Sequence, residues 1–198
     1  MSAERAYHHG DLRAALITAS FDVLADCGLQ RFSVAAVARR AGVSSAAPYR
    51  HFPDRAHLLG AVSAAAAHDL RAEIIAAAAG HENPRERLAA LAGAYVRYVA
   101  RTGAGFPVIF AAELYDVPDD ARREQTRALI TTLVDLATAT GCPSYEAAIA
   151  LGEATVAVAH GYVSLFTDGF FTHGGRTIDD IAARATAAAY ALIGPEQS

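Results

Sequence analysis

The sequence predicts an all-α protein, and three observations carry that expectation. Apolar residues recur at helical spacing in nearly every segment, with no convincing alternation of the kind a half-buried strand needs. Ser, Thr, Asp or Asn stands at the head of most of these segments, where a side-chain oxygen can cap free amides. Gly and Pro fall mainly between the segments.

The first helix is predicted over about 10–27, with Leu12, Leu16, Ser20 and Val23 beside Ile17, Phe21 and Leu24 on one face, and Gly28 suited to end it. Ser33 caps a short helix in which Val34, Val37, Ala38 and Ala41 recur at helical spacing. Gly42-Val43 turns the chain, and Ser44 is expected to cap a third helix through Phe52. Asp54 caps a long fourth helix to about Ala79, along which Leu58, Leu59, Val62, Leu70, Ile74 and Ile75 are apolar. Asn83-Pro84-Arg85-Glu86 supplies a cap residue, a Pro at the first helical position and a Glu placed to reach back, opening a helix to about Arg101. A short helix over 106–114 follows, then one over 118–140 with Asp119 and Asp120 near its positive end. Ser144 opens a helix to about Phe170, and Thr177 with Asp180 opens the last, ending near Ile193. Nine helices are expected, with no internal repeat and no low-complexity linker.

A chain of 198 residues can bury a full core as one or two domains. Its charge is uneven: residues 1–60 hold seven Arg against five acids, whereas residues 61–198 hold ten Arg against sixteen acids. A slightly basic head precedes an acidic body. Every basic residue is Arg, which a GC-rich coding bias explains without a functional choice. The longest uncharged run, Ala154 to Thr167, is shorter than the ~18 apolar residues that span a bilayer. Glu4, Arg5 and two histidines precede any apolar run, unlike a signal peptide. A cytoplasmic protein without a membrane segment is therefore expected. Cys27 and Cys142 lie far apart beside helix-ending signals and read as ordinary reduced thiols.

The segment from Phe32 to Ser44 reads as a helix–turn–helix. Gly42 permits the reversal, small Ala residues allow close approach, and the second helix would fit a major groove about 12 Å wide. Tyr7-His8-His9-Gly10-Asp11-Leu12-Arg13, then Ala41-Gly42-Val43-Ser44, then Tyr49-Arg50-His51-Phe52-Pro53-Asp54-Arg55 with Leu58-Leu59, closely resembles the DNA-binding domain of TetR-family regulators over residues 7–62. The resemblance implies a helix-turn-helix domain over 1–55 and a ligand-binding and dimerisation domain over 56–198.

Carried over by position, it puts Ser44, Ser45, Ala46 and Ala47 at the base-facing start of the recognition helix. Ser45 and Arg50 are candidates for hydrogen bonds to base edges, while Ala can touch a thymine methyl. Tyr49 and His51 resemble the family's phosphate-contacting pair. Arg55 replaces a Lys common in the family at the start of the fourth helix, where phosphate is also favoured by the helix end. Ser33, Arg39 and Arg40 are candidate backbone contacts, and Arg5-Ala6-Tyr7-His8-His9 is a candidate arm along the DNA. The adjacent His8 and His9 form no metal pair by helical spacing. Pro48 departs from the family pattern: it removes the amide that would bond the Ser44 carbonyl and crowds that group, so the first turn of the recognition helix is expected to be irregular.

Beyond residue 62 the resemblance is sparser. Glu153 to Leu165 is similar to a subgroup whose C-terminal domain carries a Trp–His–Gly signature, of which only His160-Gly161 is intact; Val156 occupies the Trp position. Phe106-Pro107-Val108-Ile109-Phe110 resembles that subgroup's short sixth helix. The resemblance implies a two-fold homodimer paired through its last two helices. Ile149, Val156, Val163 and Phe170, seven residues apart, with Gly152 are the candidate dimer contacts; Leu151, Val158 and Leu165 form a second sevenfold row. An effector pocket in each body would draw on Tyr95, Tyr98, Phe106, Phe110, His160 and Phe166, each of which also suits ordinary core packing.

The reading is a regulator released from a palindromic operator on double-stranded DNA by a small-molecule effector, with no cofactor, metal or membrane; an activator or interaction module on the same fold fits the sequence as well. A helical-bundle metal enzyme is the competitor from another class. Glu153 and His160 could share a face, but the Glu-x-x-His pairs of di-iron bundles, a phosphate loop, a nucleophile elbow and a zinc-ligand cluster are missing from the sequence.

Overall fold

The computed structural model describes residues 12–171 and 175–194, and among them every regular element is helical. Eight α-helices run in order: α1 (Leu12–Arg31), α2 (Val34–Arg40), α3 (Arg55–Ala78), α4 (Pro84–Thr102), α5 (Phe106–Ile109), α6 (Asp120–Thr138), α7 (Tyr145–Thr167) and α8 (Ile178–Ile193). Two 3-10 turns, Pro48–Arg50 and Ala112–Leu114, stand where the sequence suggested α-helix.

All the predicted caps but Ser44 form, because capping is local chemistry, and Asp119 adds one that the sequence did not specify. Ser33, Asp54, Asp119 and Ser144 each accept an amide three residues on, and Thr177 with Asp180 forms a reciprocal capping box. Asn83 caps α4 through the Arg85 amide, but Glu86 does not complete a box; it faces His81 at 3.4 Å. Gly28 breaks the regular path of α1 at φ 71°, as expected of a stop, and the chain regains one helical turn to Arg31. The helix expected over 106–114 divides because Phe110 and Ala111 leave helical geometry.

In the body, α4 lies centrally against α3, α7 and α8, and α6 closes over α3 and α7. Leu88, Leu91, Tyr95 and Tyr98 bury one side of α4, and Leu58, Leu59, Leu70 and Ile74 do the same for α3. α4 approaches α8 closely at Gly93, where a Cβ would come within 2.5 Å of Thr186 Oγ1.

The head is joined to this bundle in two ways: α3 is continuous from one into the other, and the C-cap of α4 sits on α1. Gly103, at φ 65°, lies so close to the Leu24–Ala25 peptide that a Cβ there would fall 2.5 Å from the Leu24 carbonyl carbon.

By length and composition α7, with a mean hydropathy of 1.4, is the one described helix that could cross a membrane. Glu146 and Glu153 interrupt its surface, while Ala148, Gly152, Thr155, Ala159 and Val163 are buried against the bundle.

Candidate nucleic-acid interface

α2 ends in a Schellman arrangement. Gly42 takes φ 70°, its amide donates to the Arg39 carbonyl at 3.2 Å, and the Val43 amide donates to the Ala38 carbonyl at 3.0 Å. This closure aims residues 44–51 outward.

That segment is not the α-helix the sequence suggested. Ser44 makes no side-chain cap; its carbonyl accepts the Ala47 amide at 3.0 Å, and the chain then winds as a 3-10 turn with the Arg50 amide on the Ala47 carbonyl and the His51 amide on the Pro48 carbonyl. Pro48 is the physical cause. Without its amide, the four-residue bond to Ser44 cannot form, and three-residue bonds take over on both sides of the ring. The expected irregularity thus extends beyond the first turn. Pro48 and Phe52 are nonetheless buried and pin the segment to the head, while Arg13 lies over the Phe52 ring at 5.3 Å.

The predicted interface residues divide into three groups. Ser44, Ser45, Ala46, Tyr49, Arg50 and His51 are exposed, with Tyr49 at 56% an unusually open aromatic, and Ala47 is half-buried beneath them. Arg39 is exposed and has no ion-pair partner among the described residues, while Arg40 is paired to Asp26 and also to Asp22 at 3.5 Å. Asp26 chiefly, and Asp22, stabilise its charge and raise its pKa. Ser33 is committed to capping α2.

Arg55 departs from expectation. It turns inward: Nε donates to the Phe32 carbonyl at 2.9 Å, one terminal nitrogen donates to the Leu29 carbonyl at 3.2 Å, the other pairs with Glu113, and the guanidinium lies over the Phe32 ring. With one contact from each of its three nitrogens, it ties the α1–α2 link to the second 3-10 turn. Residues 1–11, including the candidate arm and the Tyr7–Asp11 part of the motif, lie outside the described residues.

In the body a cavity of about 600 Å³ opens between α5, α6 and α7. Phe106, Phe110 and His160 are among the residues that line it. Tyr95 stands behind His160: its hydroxyl lies 2.9 Å from His160 Nδ1 and accepts the Phe106 amide at 3.2 Å. Burial pushes the Tyr95 phenol up to about 12, so it remains protonated at neutral pH. Tyr98 is buried in the core and Phe166 half-buried, and neither lines the cavity.

The five dimer candidates do not share one surface. Ile149, Gly152 and Val156 line this cavity, and Val163 is buried in its own bundle; of the five, only Phe170 is exposed, at 68%. α7 is apolar on several sides, so periodicity alone gives no direction. Of the lining residues that the sequence did not mark for a pocket, Ile149, Gly152 and Val156 are dimer candidates, and Pro107, Ile130, Leu133, Val134, Tyr145, Glu153 and Ala157 carried no such expectation.

The family model for bacterial regulatory proteins of the tetR family matches residues 16–62, and the model for the tetracyclin repressor-like C-terminal domain matches residues 88–189. The chain belongs to the TetR family. This TetR-family chain matches no curated protein. Among solved structures, it is similar to a protein of unknown function from Rhodococcus sp. RHA1, at 29% identity over 98% of this chain and 100% of that one, with a TM-score of 0.72. A tetR-family bacterial regulatory protein from Rhodococcus RHA1 shares its fold at 23% identity, over 92% and 96% of the two chains, with a TM-score of 0.62. So does the fatty acid degradation regulator FadR from Bacillus halodurans, at 14% identity over 93% and 99%, with a TM-score of 0.63.

As a member of the TetR family the protein is a DNA-binding transcriptional regulator. Within that frame Arg55 is a joint between head and body. Arg55→Lys is expected to cost about 1–2 kcal/mol in a urea titration, because an ammonium on a flexible stem cannot serve two carbonyls and a carboxylate from one plane.

Proposed function

We propose that this TetR-family regulator is a repressor, bound as a homodimer to an inverted-repeat operator and released by a small-molecule effector. The observation that carries the reading is the exposed surface of residues 44–51, which presents Ser45, Tyr49, Arg50 and His51 together at the end of a helix–turn–helix built on buried Pro48 and Phe52. Ser45 and Arg50 read base edges, Ala46 and Ala47 meet thymine methyls, and Tyr49, His51 and Arg39 hold phosphates. Arg40 joins them only by leaving Asp22 and Asp26. Residues 1–55 form the DNA-binding part and 56–198 the effector and dimer part.

The dimer forms through the outward faces of α7 and α8. Exposed Gly161 and Leu165 on α7 and Ala183, Ala187 and Leu192 on α8 support this face. Apolar surface of this kind on α7 is matched by a second copy, and the protein works in the cytoplasm without a membrane partner, as a regulator rather than an enzyme. Effector bound in the body favours a dimer in which the two recognition segments are wrongly spaced, and the operator is released through differential affinity for two states.

The test is fluorescence anisotropy against genomic fragments. A sequence-specific complex that weakens steeply with salt is expected; binding indifferent to sequence, or absent at physiological salt, rejects the reading.

A further inference from the structure

The cavity's polar atoms specify a chemistry. The Phe106 amide can only donate, so the Tyr95 oxygen accepts there at 3.2 Å. The buried phenol hydrogen has one acceptor within reach among the described residues, His160 Nδ1 at 2.9 Å, because an unpaired buried hydroxyl would be costly. With Nδ1 occupied as acceptor, the neutral imidazole carries its proton on Nε2, and Nε2 is the atom left for a ligand. Gly105 makes the relay possible: a Cβ there would fall 2.6 Å from the Tyr95 hydroxyl.

The remaining walls exclude an anion. They are aromatic and aliphatic, with Phe106, Phe110 and Tyr145 among them, and neither Arg nor Lys lines the cavity. The one charge on the lining is the Glu153 carboxylate, which has no ion-pair partner among the described residues. An anionic ligand would meet repulsion there and no cation.

We infer that the cavity takes a mainly apolar, non-anionic molecule carrying a carbonyl-type oxygen, which accepts a hydrogen bond from His160 Nε2. This rests on the reading of the cavity as the effector site. Tyr95 is then a positioning residue: it fixes the imidazole tautomer without touching the ligand. A ligand that offers His160 Nε2 no acceptor forgoes that hydrogen bond, so the cavity favours one that does.

The test uses the full chain and three probes of matched length: methyl hexyl ketone, octane and octanoate. Affinity is read from the melting shift at equal free concentration. The ketone is expected to bind about tenfold more tightly than octane and than octanoate. His160→Phe abolishes the preference of ketone over octane, and His160→Gln, which retains a donor, keeps most of it. Tyr95→Phe reduces it by freeing the tautomer, whereas Tyr98→Phe, outside the relay, leaves it unchanged. Tighter binding of octanoate, equal binding of ketone and octane, no binding of the ketone, or a preference that survives His160→Phe overturns the inference. Operator affinity measured on the same preparations separates the two readings. Specific DNA binding without the ketone preference rejects this inference alone, and the preference without specific DNA binding rejects the regulatory reading alone.

Discussion

Replacing Tyr49 and Arg50 together with alanine is expected to weaken specific operator binding by roughly 100-fold or more while leaving the melting temperature of the free protein almost unchanged. Both side chains are exposed, so neither carries the fold. On DNA, an arginine bidentate to a guanine contributes about 1–3 kcal/mol of discrimination, and a phenol bonded to a phosphate contributes about 1.5–3 kcal/mol as a charge-assisted bond. A two-fold dimer loses each contact twice. The two singles are expected to differ in kind. Arg50→Ala should relax sequence preference, whereas Tyr49→Ala should weaken binding evenly across sequences. Anisotropy titrations on matched and scrambled operators distinguish these effects. An unchanged affinity in the double variant would remove the recognition role from the 3-10 turn.

The second large effect is expected at Gly103. A residue there must adopt φ 65°, and its Cβ would lie 2.5, 2.6 and 2.7 Å from three backbone atoms of Leu24 and Ala25. Backbone cannot rotate aside as a side chain can, so α1 must move off the end of α4. Gly103→Ala is expected to cost about 2–4 kcal/mol, the left-handed penalty and the overpacking together. Gly42 provides the control, since it has φ 70° but nothing within 4 Å of its would-be Cβ. Gly42→Ala should lose only the conformational part, about 1–2 kcal/mol. Urea titrations of both measure the difference. Because Gly103 carries the head on the body, its alanine variant should also lose operator affinity beyond what its stability loss explains. Equal costs at the two glycines would show that the α1–α4 contact is not a tight joint.

Much of this architecture is legible in the sequence because its signals are local. Ser33, Asp54, Ser144 and the Thr177–Asp180 pair open helices through bonds to amides within one turn, and no distant partner can alter that. Gly28 and Gly42 take the positive φ that their helix-ending positions suggest. Pro48 was legible as a disturbance but not in extent. Whether a missing amide distorts one turn or converts the whole segment depends on how firmly Phe52 and Pro48 are seated in the head.

Features set by tertiary contact were not legible. Arg55 looks like a surface cation until the Leu29 and Phe32 carbonyls and Glu113, 58 residues away, are brought around it. α7 is apolar on more than one side, so Ile149, Gly152 and Val156 suited a dimer seam as well as a cavity wall. Only the position of α6 decides between them. The pairing of Tyr95 with His160, 65 residues apart, likewise needs α4 and α7 side by side.

The most direct test of the account is hydroxyl-radical footprinting of the full-length protein on an operator fragment selected from genomic DNA. Two protected half-sites are expected, related by an inverted repeat and centred about one helical turn, roughly 34 Å, apart on one face of the duplex. A single protected patch without two-fold symmetry, or no protection at concentrations where the protein is dimeric, would contradict it.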